Sequence, residues 1–194
     1  GDRLGADQHA LAAPRRPVHE LLEIEDGRIR KRGHVTLDLN GIAKGYGVDQ
    51  LATLMEANGI QNYLVSISGD LRAKGLNGKG QPWTVAIERP VPGQRAVERL
   101  IKIGDRAVST AGDYRNYFEQ NGQRYSHIIN PRTGRPVPKA VASVTVISEL
   151  DLNADAADTA LMAAGADHGF QLATEHHLAA FFILADPDGK SFRE

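Results

Sequence analysis

Two carboxylates and a hydroxyl in the stretch NADAADTALM, residues 153–162, have the spacing most suggestive of chemistry. Asp155, Asp158 and Thr159 fall at i, i+3 and i+4, so on a helix all three side chains share one face. They offer only oxygen, which suits a hard cation, magnesium ahead of calcium where phosphate is also present. Without a cation, two neighbouring carboxylates would repel. The same residues also fit a plain helix start, with Asn153 or Asp155 as N-cap and acids favoured in the first turn.

A second group is LDLNGIAKGYG, Leu37 to Gly47. Gly41, Gly45 and Gly47 would let the backbone approach a ligand closely. Asp38 and Lys44 stand on either side of that bare backbone. Amides at a helix start, with a lysine one turn in, make a seat for phosphate. The plain alternative is a strand-to-helix turn with a solvated lysine, since the spacing is not the Walker pattern. A third group is RYSHIINPRTGRPV, where His127 stands at a strand end before a loop ordered by Pro131, Gly134 and Pro136. That suits general base work at neutral pH, although a lone histidine is more often structural. His34, His168, His176 and His177 show no partner spacing and read as surface residues. In VSTAGDYRNYF, Ser109, Thr110 and Gly112 read as a polar turn followed by Tyr114, Arg115, Asn116 and Tyr117.

The elements that must position these groups follow from periodicity. Leu21 to Ile24, Asp26-Gly27 and Ile29 predict a hairpin with an Asp-Gly turn. Val35, Leu37 and Leu39 alternate with Thr36 and Asp38, the period of a half-buried strand. Val48, Leu51, Leu54 and Met55 then recur at helical spacing, stopped at Asn58-Gly59. Tyr63 to Ile67 predicts a buried strand ending at Ser68-Gly69-Asp70. Short strands follow at Leu71 to Lys74, Trp83 to Ile87, Arg99 to Ile103 and Ala107 to Ser109, joined by turns such as Asn77-Gly78 and Pro92-Gly93. Arg124 to Ile129 and Ala142 to Ile147 are expected to extend the same sheet. Helices are expected over about Asp155 to Ala164 and Asp167 to Glu175. Phe181 to Leu184 closes the chain as a strand, with its turn at Asp186-Pro187-Asp188-Gly189. The pattern is α+β with a mainly antiparallel sheet and flanking helices.

Composition narrows the function classes. A chain of 194 residues with 41% apolar and 24% charged residues suits one packed globular domain, or two small ones. A net charge of −1 provides no electrostatic basis for nucleic-acid binding. The one short basic run, Arg28, Arg30, Lys31 and Arg32, reads as the exposed side of a hairpin strand. No apolar run approaches the roughly 20 residues of a membrane span. There is no cysteine, which removes disulfides, thiolate metal sites and cysteine nucleophiles and is compatible with an oxidising compartment. The chain opens at Gly1 with no initiator methionine or visible signal peptide, so a processed or trimmed start is expected.

Taken together and in this order, DLNGIAKGYGVD, STAGDYRNYF, SHIINPRTGRPV and ADAADTALM resemble the ApbE family of FAD:protein FMN transferases. The resemblance runs from about Leu21 to the C-terminus and includes NYLVSISGDLRAKG and GQPWTVAIERP. It implies an α+β fold of the T-fold kind, FAD as substrate, Mg²⁺ as the metal and a periplasmic location. Position by position, it implies FAD contacts at Asp38 and Lys44 and a flavin nucleotide contact at the Ile129 backbone. It implies metal ligation by the Gly41 carbonyl, Asp155, Asp158 and Thr159, with His127 as the catalytic base. Asn130 stands where the family often has Asp. Family members are usually considerably longer, and their N-terminal portion supplies several flavin contacts. The expected division is therefore a loose leader over 1–18 and an ApbE-like domain over 19–194, trimmed or naturally short. Any membrane anchor would lie in an N-terminal segment outside this sequence.

The implied reaction moves FMN from FAD to a threonine or serine hydroxyl of an acceptor protein and releases AMP. The implied acceptor is a flavoprotein subunit of a membrane redox complex. Two alternatives stay open: an FAD pyrophosphatase yielding FMN and AMP, and a non-catalytic flavin-binding protein.

Overall fold

The computed structural model describes residues 16, 18–91, 93, 95–112, 117–120, 123–130, 133–137, 140–186 and 191–194. Nearly all of the expected leader lies outside these residues. So do Pro92, Tyr114, Arg115, Asn116, Pro131 and positions 187–189 of the C-terminal turn.

A one-turn helix, α1 (Val18–Leu21), leads into the hairpin β1 (Leu22–Glu25) and β2 (Arg28–Lys31). Asp26 and Gly27 both take positive φ, at 50° and 70°, as a two-residue hairpin turn requires. The β2 strand is exposed along its length, and Arg30 and Arg32 pair with Glu23 across the hairpin. The segment 35–39, expected as a strand, joins no ladder among the described residues, and its leucines Leu37 and Leu39 stand exposed. Alternation reports which faces differ, and it cannot supply a neighbour to bond to.

The centre is a six-stranded antiparallel sheet. Its order is β12 (Phe192–Arg193), β11 (Ala179–Ala185), β10 (Val141–Ser148), β7 (Ala107–Gly112), β4 (Asp70–Lys74) and β3 (Tyr63–Ile67). Three helices cover one face. They are α2 (Ala43–Ala57) over β3 and β4, α3 (Asp151–Ala164) over β7 and β10, and α4 (Ala166–Glu175) beside α3. Val144, Val146, Leu161 and Met162, all nearly inaccessible, make the core between sheet and helices. The hairpin β5 (Thr84–Glu88) and β6 (Val97–Lys102) packs on the sheet through Val85 and Ile87. Trp83 ties it down by donating its indole N–H to the Lys74 carbonyl at 3.0 Å.

The α+β, mainly antiparallel expectation holds, with changes in detail: Ser109, Thr110 and Gly112, expected as a polar turn, lie within β7 and pair with β10. The Arg124 to Ile129 stretch does not extend the main sheet. It forms β9 (Gln123–Ser126), paired only with β8 (Tyr117–Gln120) in a separate two-stranded ribbon. The first C-terminal helix begins at Asp151 rather than near Asp155, so neither Asn153 nor Asp155 is its N-cap.

Candidate active site at the junction of two helices

The position of α3 follows from its unusual start. Its N-cap residue, Leu150, has no side chain able to accept from the first amides. The acceptor comes from α2: the Asp49 carboxylate takes the Asp151 N–H at 3.1 Å and the Leu152 N–H at 2.9 Å. Two orphan donors of a helix end are thereby satisfied by another helix, with favourable charge at the positive pole. Arg72 from β4 pairs with the same carboxylate at 2.9 Å.

The glycines of α2 set the spacing. A Cβ at Gly45 would lie 2.5 Å from the Asp151 carbonyl oxygen, and one at Gly47 would lie 2.8 Å from the Ile67 Cδ1. These two glycines therefore serve helix–helix and helix–strand packing, not ligand approach. Gly41 alone of the three lines the cleft, where a Cβ would sit 3.2 Å from the Thr159 Cγ2. The glycine turn and the acidic helix, far apart in sequence, are in contact.

Three amides of the seat expected at the start of α2 are already taken. The N–H groups of Ile42 and Ala43 both donate to the Leu39 carbonyl, and the Gly45 N–H donates to Asp155 Oδ2 at 2.9 Å. Lys44 from that stretch lines the cleft, and it is not simply solvated. Its ammonium lies between Asp70, in close contact, and Asp155 Oδ1 at 3.1 Å. Burial alone would lower its pKa, but the hydrogen bond and charge of Asp70, then those of Asp155, outweigh burial and hold the group above its ordinary range.

Around this ammonium the carboxylates are dense. Asp158 is buried on α3; Ser109 donates to its Oδ2 at 2.6 Å and Thr159 to its Oδ1 at 3.1 Å. Burial pushes Asp158 up to about 7 against the Ser109 hydrogen bond, and the charges of Asp70 and Asp155 add to the rise. Burial likewise raises Asp70, against the pull of Lys44. Asp151 is fully buried with no hydrogen-bond partner for either oxygen among the described residues. Burial, then the charges of Asp70, Asp49 and Asp155, pushes it up to about 8.

The eight residues to which the family resemblance assigns a role all line one cleft of about 830 Å³. Asp155, Asp158, Thr159, Gly41 and Lys44 come from the helix junction. Asp38 enters from segment 35–39, its Oδ1 accepting the Asn40 N–H at 2.9 Å. From the turn after β9, His127 and Ile129 also line the cleft; His127 is exposed and Ile129 is 43% exposed. The turn holding this pair is built locally: Asn130 and Arg135 bond through their backbones, as do Val137 and Ile128, and Ile129 bridges Pro136. The Asn130 side-chain amide donates to the Ala163 carbonyl at 3.2 Å, anchoring the turn to the end of α3. An aspartate there would have no proton to donate when ionised. His34, His168, His176 and His177 are exposed and away from the cleft lining.

The donor set fits a divalent cation. Asp70, Asp155 and Asp158 place three carboxyl groups about a single ammonium, an excess of negative charge that a hard divalent ion would neutralise. Among the described residues no group of three or more His, Cys, Asp or Glu side chains is arranged to hold a metal. A cation here would therefore depend on oxygens of other kinds beside Asp155 and Asp158, and Thr159 and Gly41, which line the same cleft, carry such oxygens.

Asp70 and Asp49 escaped the sequence reading. A carboxylate directly after Ser68-Gly69, opening a strand, was the available signal for Asp70. For Asp49 there was none beyond its place on α2.

The sequence profile of the ApbE family matches residues 3–182. A Vibrio cholerae relative named FAD:protein FMN transferase is 46% identical over 171 residues, covering 88% of this chain and 51% of the relative. Among solved structures, the flavin transferase ApbE from Vibrio cholerae superposes with a TM-score of 0.78 at 43% identity, covering 90% of this chain and 55% of that one. The apo Pseudomonas stutzeri flavinyl transferase ApbE gives 0.76 at 41% identity, covering 89% and 53%. The chain spans about half the length of these relatives. With the profile match running through nearly all of the residues that build the fold and the cleft, this chain belongs to the ApbE family.

Proposed function

We propose that this chain carries the catalytic site of an FAD:protein FMN transferase, which moves FMN from FAD to a threonine or serine hydroxyl of an acceptor protein and releases AMP. The observation that supports it best is the convergence of a carboxylate-rich helix face, a lysine, a glycine turn and an exposed histidine on one cleft. The names of the relatives point to the same reaction.

In this reading Asp155, Asp158, Thr159 and the Gly41 carbonyl would hold Mg²⁺. Bound there, the ion would offset charge on the FAD diphosphate and on the departing AMP. Lys44 faces the same diphosphate as a second cation, and Asp38 and the Ile129 backbone orient the nucleotide. His127, exposed at the cleft, takes the proton of the acceptor hydroxyl. That oxygen forms a bond to the FMN phosphorus as the bond to AMP breaks, leaving a phosphoester-linked flavin. The acceptor is proposed to be a flavoprotein subunit of a membrane redox complex, and the location periplasmic, which the cysteine-free composition suits. Among the described residues no helix is long and apolar enough to cross a membrane.

The test is incubation with FAD, Mg²⁺ and a threonine-containing acceptor peptide, followed by mass spectrometry. The expected result is a peptide carrying one FMN, with Asp155→Ala reducing the rate by a factor of about 10³ or more. Free FMN and AMP with an unlabelled peptide would indicate hydrolysis instead. No AMP release at all would exclude catalysis by this chain.

A further inference from the structure

We infer that Asp70 is a positioning residue that acts through Lys44: as the lysine's standing counter-ion, it keeps the ammonium at the cleft while leaving Asp155 available to a divalent cation. This rests on the metal-dependent transferase reading and adds a residue to it.

The geometry gives Lys44 two carboxylate partners of different kinds. Asp155 belongs to α3 and lies on the face proposed to bind metal, while Asp70 opens β4 and belongs to the sheet. Both carboxylates are buried, at 3% and 1% exposure, whereas the Lys44 side chain is 41% exposed and reaches into the cleft. A cation at Asp155 and Asp158 repels the nearby ammonium, and the contact that yields is the one at Asp155 Oδ1. The contact to Asp70 persists, because Asp70 is fixed by the sheet and is not a proposed metal ligand. Lys44 thus stays near the diphosphate instead of swinging into water. Without Asp70, Asp155 is the ammonium's sole ion-pair partner among the described residues, and lysine and metal compete for one carboxylate.

Calorimetric titration with MgCl₂ alone, without FAD, tests this on four proteins: wild type, Asp70→Asn, Lys44→Met and the double variant. The folded state of each is checked by circular dichroism. Asp70→Asn is expected to weaken Mg²⁺ binding about tenfold, and Lys44→Met to strengthen it. In the Lys44→Met background the effect of Asp70→Asn should shrink to about threefold or less, the part that acts through space alone. An equal loss in both backgrounds would overturn the inference, because Asp70 would then act without the lysine. Should Asp70→Asn not fold, Lys44→Met still decides, and unchanged or weaker Mg²⁺ binding in it overturns the inference. Mg²⁺ binding that is absent from the wild type, or that survives Asp155→Ala undiminished, would instead remove the metal-site reading on which the inference stands.

Discussion

The two walls of the cleft are built on opposite principles. The helix wall is buried, charged and held by partners distant in sequence: Asp49 caps α3, Gly45 sits against its first turn, and Lys44 joins Asp70 to Asp155. The other wall is a short turn after a two-stranded ribbon, closed by local backbone bonds and tied to α3 through Asn130. One wall must hold fixed charge that nothing nearby would tolerate unpaired, so it needs rigid support. The other carries His127 exposed at the cleft, where the proposed reaction needs an accessible base. Stability and chemistry should therefore separate on mutation. Loss of the paired or closely packed groups on the helix wall should cost both, whereas His127 should cost chemistry alone.

The largest expected loss of stability is at Gly45. A methyl group there meets the backbone of Asp151, which cannot move without shifting α3, so Gly45→Ala should destabilise by about 3 kcal/mol, read by urea unfolding. Next is Asp49→Ala. It strands two helix amides and leaves Arg72 without this partner, for an expected loss of about 2 kcal/mol. An unchanged unfolding midpoint in either variant would break the contrast between the walls.

Asp151 sharpens the contrast through pH. It ionises near 3.8 in an ordinary setting and at about 8 in the fold. Between those values the folded state keeps a proton that the unfolded chain has lost. This group's contribution to stability therefore falls as pH rises from about 4 to about 8 and levels off above. Asp151→Asn removes the ionisation while keeping the shape. It should gain roughly 1 to 3 kcal/mol at pH 8 relative to wild type, with the gain shrinking toward pH 5. Thermal melts across that range provide the check. The smallest effect on stability is expected for His127→Ala, within about 0.5 kcal/mol of wild type because the side chain is exposed. Its transfer rate should nonetheless fall by a factor of about 10² or more.

Much of the architecture was legible because it is local. Strand β3 coincides with the predicted Tyr63–Ile67, the Asp26-Gly27 turn takes the backbone its residues favour, and Asn58-Gly59 ends α2, with Gly59 at φ 75°. The acidic face of α3 was legible from spacing within five residues. What was not legible depends on pairing across the chain. Segment 35–39 has a strand's alternation but no neighbour among the described residues, and β9 found β8 rather than the main sheet. Lys44 reads as a free cation until Asp70, 26 residues on, and Asp155, 111 residues on, arrive beside it. The helix-start amides read as open until Asp155 takes the Gly45 N–H from 110 residues away. Nothing in a local window reports such partners.

Whether one ion is gripped by α3 and the glycine turn together can be seen directly by diffraction from crystals soaked in Mn²⁺, with anomalous scattering to locate the metal. A site shared by the two elements predicts a single strong peak at coordination distance from the Asp155 carboxylate, the Thr159 hydroxyl and the Gly41 carbonyl. A peak remote from Gly41, or none in the cleft while Lys44 stays between Asp70 and Asp155, would contradict it.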